Sequence, residues 1–188
     1  MKIFRLLSPL PSVLTVPDTA LLIQKRPFFI PDFTQDCRAQ LCAVIRITRL
    51  GRSIGERFVP RYYQAEQISL GVHFVAHDLL EQLRQEGQPW DIAVGFDNAV
   101  AVAETTNGHF APESSVALHI NEDTTTGLVP TDFLTEAHRA IAHISTHYTL
   151  RQGDLFLFPL PVAERTVAID DHLTLSLNGE ALLSFNIK

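Results

Sequence analysis

The segment GVHFVAHD, residues 71–78, places two histidines four residues apart, with an aspartate directly after the second. Histidines at positions i and i+4 of one helix are a common pair of zinc ligands. The alternation of apolar residues over 68–76 instead predicts a strand that carries His73, and the next helix is predicted to begin at Asp78 as its N-cap. His77 then lies at the junction of strand and helix. The two imidazoles do not share a helical face, so a zinc pair is not favoured.

The longest predicted helix, over 131–148, carries three more histidines, at 138, 143 and 147. His143 and His147 fall on the side away from the apolar stripe and could bind a metal together. No carboxylate or cysteine is placed to complete a coordination shell, which favours a solvated face. The apolar stripe of this helix consists of Phe133, Leu134, Ala137, Ile141 and Ile144.

Arginines cluster around a hairpin that the segment LGRSIG (50–55) predicts. Such a cluster is compatible with a phosphate or nucleic-acid patch, but a charged edge that resists strand pairing is the favoured interpretation. The sequence contains no phosphate-cradling glycine loop and no serine-centred nucleophile elbow. The arginines of the cluster are Arg46, Arg49, Arg52, Arg57 and Arg61.

The pattern of apolar residues predicts a β-rich α+β fold with a mixed sheet, as one domain over 1–188. In the segment 37–47, every second residue is apolar, which predicts a half-buried strand with Gln40 and Cys42 on its polar face. The pair Asn178–Gly179 predicts a tight hairpin. Helices are predicted at 78–87 and 131–148, and further strands at 26–33, 68–76, 97–104, 114–120, 153–161, 166–169, 172–177 and 180–188.

Composition narrows the class of protein. The chain has 188 residues, 46% hydrophobic content and a formal net charge of −6, which argues against nucleic-acid or anionic-membrane partners. No apolar run approaches the roughly 18 residues of a membrane span, and prolines interrupt the N-terminal apolar stretch, so we expect a soluble, cytoplasmic protein. Cys37 and Cys42 lie in one predicted strand, so a disulfide between them is not expected.

Several blocks of sequence follow one another along nearly the whole chain: RPFFIP (26–31), VIRITRLGRSIGERF (44–58), RYY (61–63), LGVHFVAHDL (70–79), GQPWDIAVGFD (87–97), LRQGDLFLF (150–158) and LNGEALLSFNIK (177–188). In this order they resemble the fumarylacetoacetate hydrolase (FAH) superfamily, and most closely its short bacterial members that comprise only the catalytic domain. The resemblance implies a β-sandwich or roll with a few flanking helices. It also implies cleavage, isomerisation or decarboxylation of β-diketo or 2-oxo acids with Mg²⁺, Mn²⁺ or Ca²⁺.

The positions that the resemblance implies as metal ligands carry other residue types in this chain. In the family, two glutamates at i and i+2 of one strand and an aspartate from another strand hold the metal. Those positions correspond to Gln40 and Cys42, and to His73. Three carboxylates have become an amide, a thiol and an imidazole, and we expect a hard dication to lose most of its affinity. The sequence therefore predicts that the metal site is lost and that no metal cofactor is bound.

Other family positions are changed as well. The lysine that precedes Gly-Phe-Asp corresponds to Val94, although Asp97 is kept. The arginine and glutamine of another family motif correspond to His77 and Leu80, and the threonine of a Gly-Thr-Pro turn corresponds to Leu160. The N-terminal histidine and glutamate have no counterpart in 1–12. We expect His77, Val94, Asp97 and Leu160 to line a residual pocket, together with the former metal seats.

Three functions follow as expectations. The first is a pseudoenzyme: a non-catalytic, homodimeric protein that binds a small carboxylic acid or a partner, with no catalytic residue assigned. The alternative is an active hydrolase, isomerase or decarboxylase acting on acylpyruvate-like or oxaloacetate-like acids, which includes the case of a transition metal bound by Cys42 and His73. In the third, Cys42 is a nucleophile with His73 as its base, although a buried, inert thiol is favoured over it.

Overall fold

The segment that contains Gln40 and Cys42 is the central strand of a seven-stranded sheet. We describe it from a computed structural model that covers residues 1–7, 10–23, 26–104 and 110–188. The strands are β1 (Ile3–Leu6), β2 (Val13–Val16), β3 (Cys37–Arg46), β4 (Ser69–Ala76), β5 (Val100–Val102), β8 (Leu155–Pro159) and β9 (Arg165–Thr166). Their order is β2-β1-β8-β3-β4-β5, with β9 also paired to β3. The pair β1–β8 is parallel and the other pairs are antiparallel, so the sheet is mixed.

A second sheet of four antiparallel strands packs beside the first, in the order β11-β10-β6-β7. The turn between β10 and β11 holds Asn178 and Gly179 at φ values of 50° and 85°. Positive φ at both central residues is the geometry that Asn-Gly favours in a two-residue hairpin, so this predicted hairpin is confirmed. The strands are β6 (Ser115–Ile120), β7 (Asp123–Leu128), β10 (His172–Leu177) and β11 (Glu180–Asn186).

Helices occupy the predicted regions. They are α1 (His77–Gln85) and α2 (Phe133–His147). Asp78 lies inside the first turn of α1 rather than at its N-cap, which is Ala76, because β4 runs directly into the helix. The Asp78 carboxylate accepts hydrogen bonds from the backbone N–H groups of Gln35 and Leu79. In the described ranges, no helix is both long and apolar enough to cross a membrane.

Both faces of the large sheet are buried, which corrects the prediction that β3 is half-buried. One face packs Ala39, Leu41 and Ile45 into the main core, which also contains apolar residues of α2 and of the second sheet. On the other face, Cys42 and Val44 belong to a smaller apolar cluster with residues of β1, β5 and β8. A period-two pattern alone does not reveal that this second face is covered too.

The hairpin predicted at 50–55 does not join two paired strands. β3 ends at Arg46 and its antiparallel partner β4 begins only at Ser69. The intervening chain is drawn towards the end of α2, because Gly51 pairs with Leu150 and the backbone N–H of Ser53 donates to the Ser145 carbonyl. Short 3₁₀ helices at Glu56–Arg61 and Ala65–Gln67 complete this connection.

The prediction of a strand at 26–33 is also wrong. Only Phe28 makes a β-bridge there, to Ile187, and its ring stacks on that of Phe74 with centroids 3.7 Å apart. Prolines at 27 and 31 remove the backbone donors that a regular ladder needs. The architecture as a whole confirms the predicted β-rich α+β class with a mixed sheet; the single domain over 1–188 stays a prediction.

Candidate functional site

The three residues that correspond, by the resemblance, to metal ligands of the family lie together on the second face of the large sheet. Gln40 of β3 is directly opposite His73 of β4, and Cys42 is opposite Gly71. Directly paired residues project to the same side, and residues two apart on a strand share a face. The side chains of Gln40, Cys42 and His73 therefore point in one direction, as the resemblance implies for the family's ligands.

The Gln40 amide is held by backbone carbonyls. Its Nε2 atom lies 3.3 Å from the carbonyl oxygens of Leu41, Leu160 and Val162, to which the amide N–H groups donate. The side chain is nearly buried, with 8% of its surface exposed. A glutamate here would face the same carbonyl oxygens without a proton to donate, so the position suits an amide better than a carboxylate.

His73 is fully buried, and one of its two ring nitrogens has no partner. Its Nε2–H donates to the Val94 carbonyl at 2.6 Å, because a carbonyl can only accept. Nδ1 then carries a lone pair, and this buried atom makes no hydrogen bond. Burial, together with the charge of Arg5, lowers the pKa of His73 to about 3 against the opposing effect of the Val94 bond. His73 is therefore a neutral imidazole with an unsatisfied acceptor.

Cys42 is a buried thiol. It is completely shielded from solvent in the cluster that contains Ile3, Val44 and Val100, and its Sγ lies 3.6 Å from the Gln40 carbonyl oxygen. Burial raises the pKa of Cys42 to about 12, so the thiolate that a nucleophile or a zinc ligand requires is disfavoured. Both cysteines are free and buried.

Arg5 is the functional candidate that the sequence reading missed. It lies on β1 opposite Leu157 of β8, and Leu157 lies opposite Val44 of β3, so Arg5 shares the sheet face of Gln40, Cys42 and His73. Only 8% of its surface is exposed, and its Nε is the other buried side-chain nitrogen in the described residues that lacks a hydrogen-bond partner. The signal in the sequence was a single cation inside the apolar run Ile3–Leu6.

No carboxylate of the described chain forms an ion pair with Arg5. Burial lowers the pKa of Arg5, while the nearby Cys42 thiol and the exposed Glu164 act in the opposite direction. A guanidinium keeps its proton even so, because its ordinary pKa lies far above neutrality. The second face of the sheet thus holds one uncompensated positive charge beside three neutral polar groups.

These residues do not fit a hard dication. Mg²⁺, Mn²⁺ and Ca²⁺ require several anionic oxygens, and the inward-facing donors are an amide, a thiol and an imidazole whose Nε2 already donates to Val94. The guanidinium of Arg5 would in addition repel a cation on this face. Within the part of the chain that the structure describes, no three His, Cys, Asp or Glu side chains are grouped to hold a metal.

The residues predicted to line a residual pocket are dispersed. Val94 and Leu160 are buried and reach the site through their carbonyls, which accept from His73 and Gln40. His77 is partly exposed, with Nδ1 3.4 Å from the Asp36 carboxylate. Asp97 is exposed and lines a different surface depression, with Asp18, Thr19, Leu21, Ile23 and Asn98.

The other sequence candidates serve the scaffold or the surface. The rings of His143 and His147 are 5.1 Å apart on the exposed side of α2. His138 instead faces the fold, where its Nε2 hydrogen-bonds the Tyr63 hydroxyl at 2.8 Å. In the arginine cluster, the guanidinium groups of Arg57 and Arg61 lie over the Phe58 ring.

Solved structures define the class of fold. A fumarylpyruvate hydrolase from Pseudomonas aeruginosa, in complex with Mn²⁺ and pyruvate, superimposes with a TM-score of 0.81 over 100% of this chain and 89% of its own, at 17% identity. A 2-hydroxyhepta-2,4-diene-1,7-dioate isomerase from Mycobacterium marinum gives a TM-score of 0.82 over 99% of this chain and 73% of its own, at 19% identity. The mixed, curled sheet with few helices is therefore an FAH-type fold.

Curated relatives are similar to the chain in sequence as well. No protein-family model matches the chain. An oxaloacetate tautomerase of Escherichia coli is 24% identical over 92% of this chain and 80% of its own length. The mitochondrial oxaloacetate tautomerase of Mus musculus is 20% identical over 95% and 81%, and a fumarylpyruvate hydrolase of Ralstonia is 24% identical over 62% of each chain. These relatives and the solved structures identify the FAH superfamily, and they are tautomerases, isomerases and hydrolases to which this chain is similar over most of its length.

Proposed function

We propose that the protein is an enzyme of the FAH superfamily that acts on a small 2-oxo or β-diketo acid of the oxaloacetate or acylpyruvate kind. The observation that carries the proposal is the similarity to an oxaloacetate tautomerase over 92% of the chain. A hydrolase of fumarylpyruvate, a related oxo acid, is also similar. These relatives support an active enzyme better than the pseudoenzyme expected above. A carboxylate next to an oxo group is common to both named substrates.

The polar residues on the second face of the large sheet suit an acid of this class. The Arg5 guanidinium offers donors to a carboxylate, and His73 Nδ1 offers an acceptor to a hydroxyl. Both groups project from the same face of one sheet and need little reorganisation to bind. Their task in this proposal is to bind and orient the substrate. Keto–enol tautomerisation, which only relocates a proton within the substrate, is the reaction we favour within the class.

A second candidate is a non-catalytic protein that binds a small carboxylic acid. One observation favours it: the seats of the family's metal carry an amide, a thiol and an imidazole at Gln40, Cys42 and His73. A metal polarises the oxo group in the family, and its loss removes that contribution. The homodimer implied by the resemblance stays a prediction under either function.

The two candidates differ in turnover. We expect purified protein to accelerate the approach of oxaloacetate to its keto–enol equilibrium, followed by the ultraviolet absorbance of the enol, above the rate in buffer. An acylpyruvate should be assayed in parallel for hydrolysis. If folded protein accelerates neither reaction, with or without added Mg²⁺ or Mn²⁺, the enzyme proposal is refuted and the binding protein takes its place.

A further inference from the structure

The second face of the large sheet carries two polar groups that lack a hydrogen-bond partner, one a donor and the other an acceptor. Arg5 Nε–H is a buried donor without an acceptor, and His73 Nδ1 is a buried acceptor without a donor. In the described chain they are the two buried side-chain nitrogens that lack a partner, and they share one face. Buried polar groups are nearly always paired in folded proteins. Two complementary exceptions on one sheet face, close enough that, besides burial, the charge of Arg5 lowers the pKa of His73, indicate that a ligand provides the missing partners.

The charge of this face is the reverse of what a metal centre requires. In the family, carboxylates surround a dication. Here three neutral side chains share the sheet face with the guanidinium of Arg5, and the surface of Arg5 is more than nine-tenths buried. Arg84 also lies within electrostatic range and adds to the positive potential, whereas Glu164 opposes it from the exposed loop before β9. A buried, unpaired cation attracts a small anion, and a guanidinium binds a carboxylate through two parallel hydrogen bonds.

We propose that Arg5 supplies from the chain itself the positive charge that a metal supplies in the family, so that this face binds the carboxylate of a 2-oxo acid without a metal. The ligand class rests on the proposed function. Arg5 and Gln40 keep a small exposed surface, 8% each, whereas His73 is fully buried, so the acid enters at Arg5. The carboxylate binds at Arg5 and the second carbon of the acid faces His73.

The hydrogen bond between His73 and the Val94 carbonyl decides which form of the acid the site prefers. Because Nε2–H donates to the Val94 carbonyl, Nδ1 can only accept. An enol or another 2-hydroxy acid presents an O–H group to this atom, whereas a 2-oxo group presents another acceptor. The site therefore binds the enol form more tightly than the keto form.

Lactate and pyruvate test both parts, because they share a carboxylate and differ in hydroxyl versus oxo at the second carbon. Binding is measured by saturation-transfer NMR of the ligand methyl group. The measurement is made first in EDTA and then with excess Mg²⁺ that contains no paramagnetic Mn²⁺. We expect lactate to bind in EDTA, about threefold to tenfold more tightly than pyruvate, as for one hydrogen bond to a buried acceptor. Arg5→Met should weaken lactate binding at least tenfold. Arg5→Lys keeps the charge but loses the two parallel N–H donors of the guanidinium, so its affinity for lactate should lie between those of the wild type and Arg5→Met.

Arg52→Met is the matched control, since Arg52 is an exposed arginine outside the site, and it should bind like the wild type. Three results overturn the proposal: lactate binding that appears only with Mg²⁺, an Arg5→Met variant that binds normally, or folded wild-type protein that binds neither acid. Equal affinity for pyruvate and lactate overturns the contact with His73. If Arg5→Met does not fold, the comparison of Arg5→Lys with the wild type decides.

The same proteins assayed for oxaloacetate turnover separate this inference from the proposed function. Turnover that is unaffected by Arg5→Met refutes the role of Arg5 and leaves the enzyme standing. Arg5-dependent lactate binding without any turnover refutes the enzyme and leaves the anion site standing.

Discussion

Replacing Arg5 with methionine should make the protein more stable while it removes ligand binding. Methionine has a similar length and no charge, so Arg5→Met keeps most of the packing of the side chain in β1. The structure gives the wild-type arginine no ion pair in the described chain and leaves its Nε without a partner, with 8% of the residue exposed. The native state therefore bears the cost of desolvating a guanidinium without a compensating interaction.

The size of the effect follows from that cost. Exchanging a buried ion pair for apolar residues of similar volume is often neutral or stabilising by about 1–4 kcal/mol, and we expect about 2 kcal/mol for Arg5, whose charge is buried without a partner. For a chain of this length, each 1 kcal/mol raises the midpoint of thermal unfolding by roughly 2–4 °C, so Arg5→Met should unfold about 4–8 °C higher. Arg52→Met, at an exposed position, should change the free energy of unfolding by less than about 0.5 kcal/mol.

Urea denaturation followed by circular dichroism measures this difference at constant temperature. The two variants and the wild type should show the same dependence of unfolding free energy on urea, so that only the midpoint moves. If Arg5→Met lowers the stability by more than about 1 kcal/mol, the guanidinium makes stronger interactions than the structure shows. The reasoning that it awaits a ligand would then be refuted.

Three further predictions concern neighbouring groups. Because burial lowers the pKa of His73 to about 3, the unfolded chain binds a proton that the folded chain does not between about pH 6.5 and 3, so stability should fall on acidification through that window by up to about 1.4 kcal/mol per pH unit. His73→Gln, which keeps a donor for Val94, should flatten that pH dependence in urea titrations; an unchanged slope would contradict the assignment. The Cys42 thiol should react with a disulfide reagent only at the rate of global unfolding, and rapid labelling of native protein would show that it is reachable. Asp154→Asn should destabilise the protein by about 3 kcal/mol, since this fully buried carboxylate pairs with Lys2 at 2.7 Å, and a loss below about 1 kcal/mol would rule out a structural ion pair.

The pattern of the sequence was sufficient to place Gln40 and Cys42 on one face, because apolar residues alternate along β3. That His73 lies opposite Gln40 follows from the antiparallel pairing of β3 with β4, which only the structure shows. The Asn178–Gly179 turn and α2 were also predictable, because each depends on local preferences of the backbone. The family resemblance added the expectation that Gln40, Cys42 and His73 belong to one site.

Arg5 could not be placed from the sequence, because its position depends on a distant pairing. β1 lies parallel to β8, which is about 150 residues further along the chain, and only this pairing brings Arg5 to the face of β3. No periodicity within β1 specifies a parallel partner at that separation. The sequence did not reveal that the second face of the large sheet is buried, for the same reason. The residues that cover Val44 come from β1, β5 and β8.

The connection between β3 and β4 shows a different limit. The glycines at 51 and 55 are typical of a tight turn, yet Gly51 pairs with Leu150 near the end of α2. Because Gly51 has no side chain, the Tyr62 ring approaches its backbone closely, and a Cβ at this position would overlap the Tyr62 ring. The glycine is there for tertiary packing, which a local turn signal cannot distinguish from a hairpin.

The central claim is that a 2-oxo acid is handled at a site whose cation is Arg5 rather than a divalent metal. The most direct measurement is the rate at which wild-type protein and Arg5→Met bring enolic oxaloacetate to equilibrium in the presence of EDTA. The account predicts acceleration by the wild type that EDTA does not reduce and that Arg5→Met abolishes. Acceleration that disappears in EDTA and returns with Mg²⁺ or Mn²⁺, equally in both proteins, would contradict it.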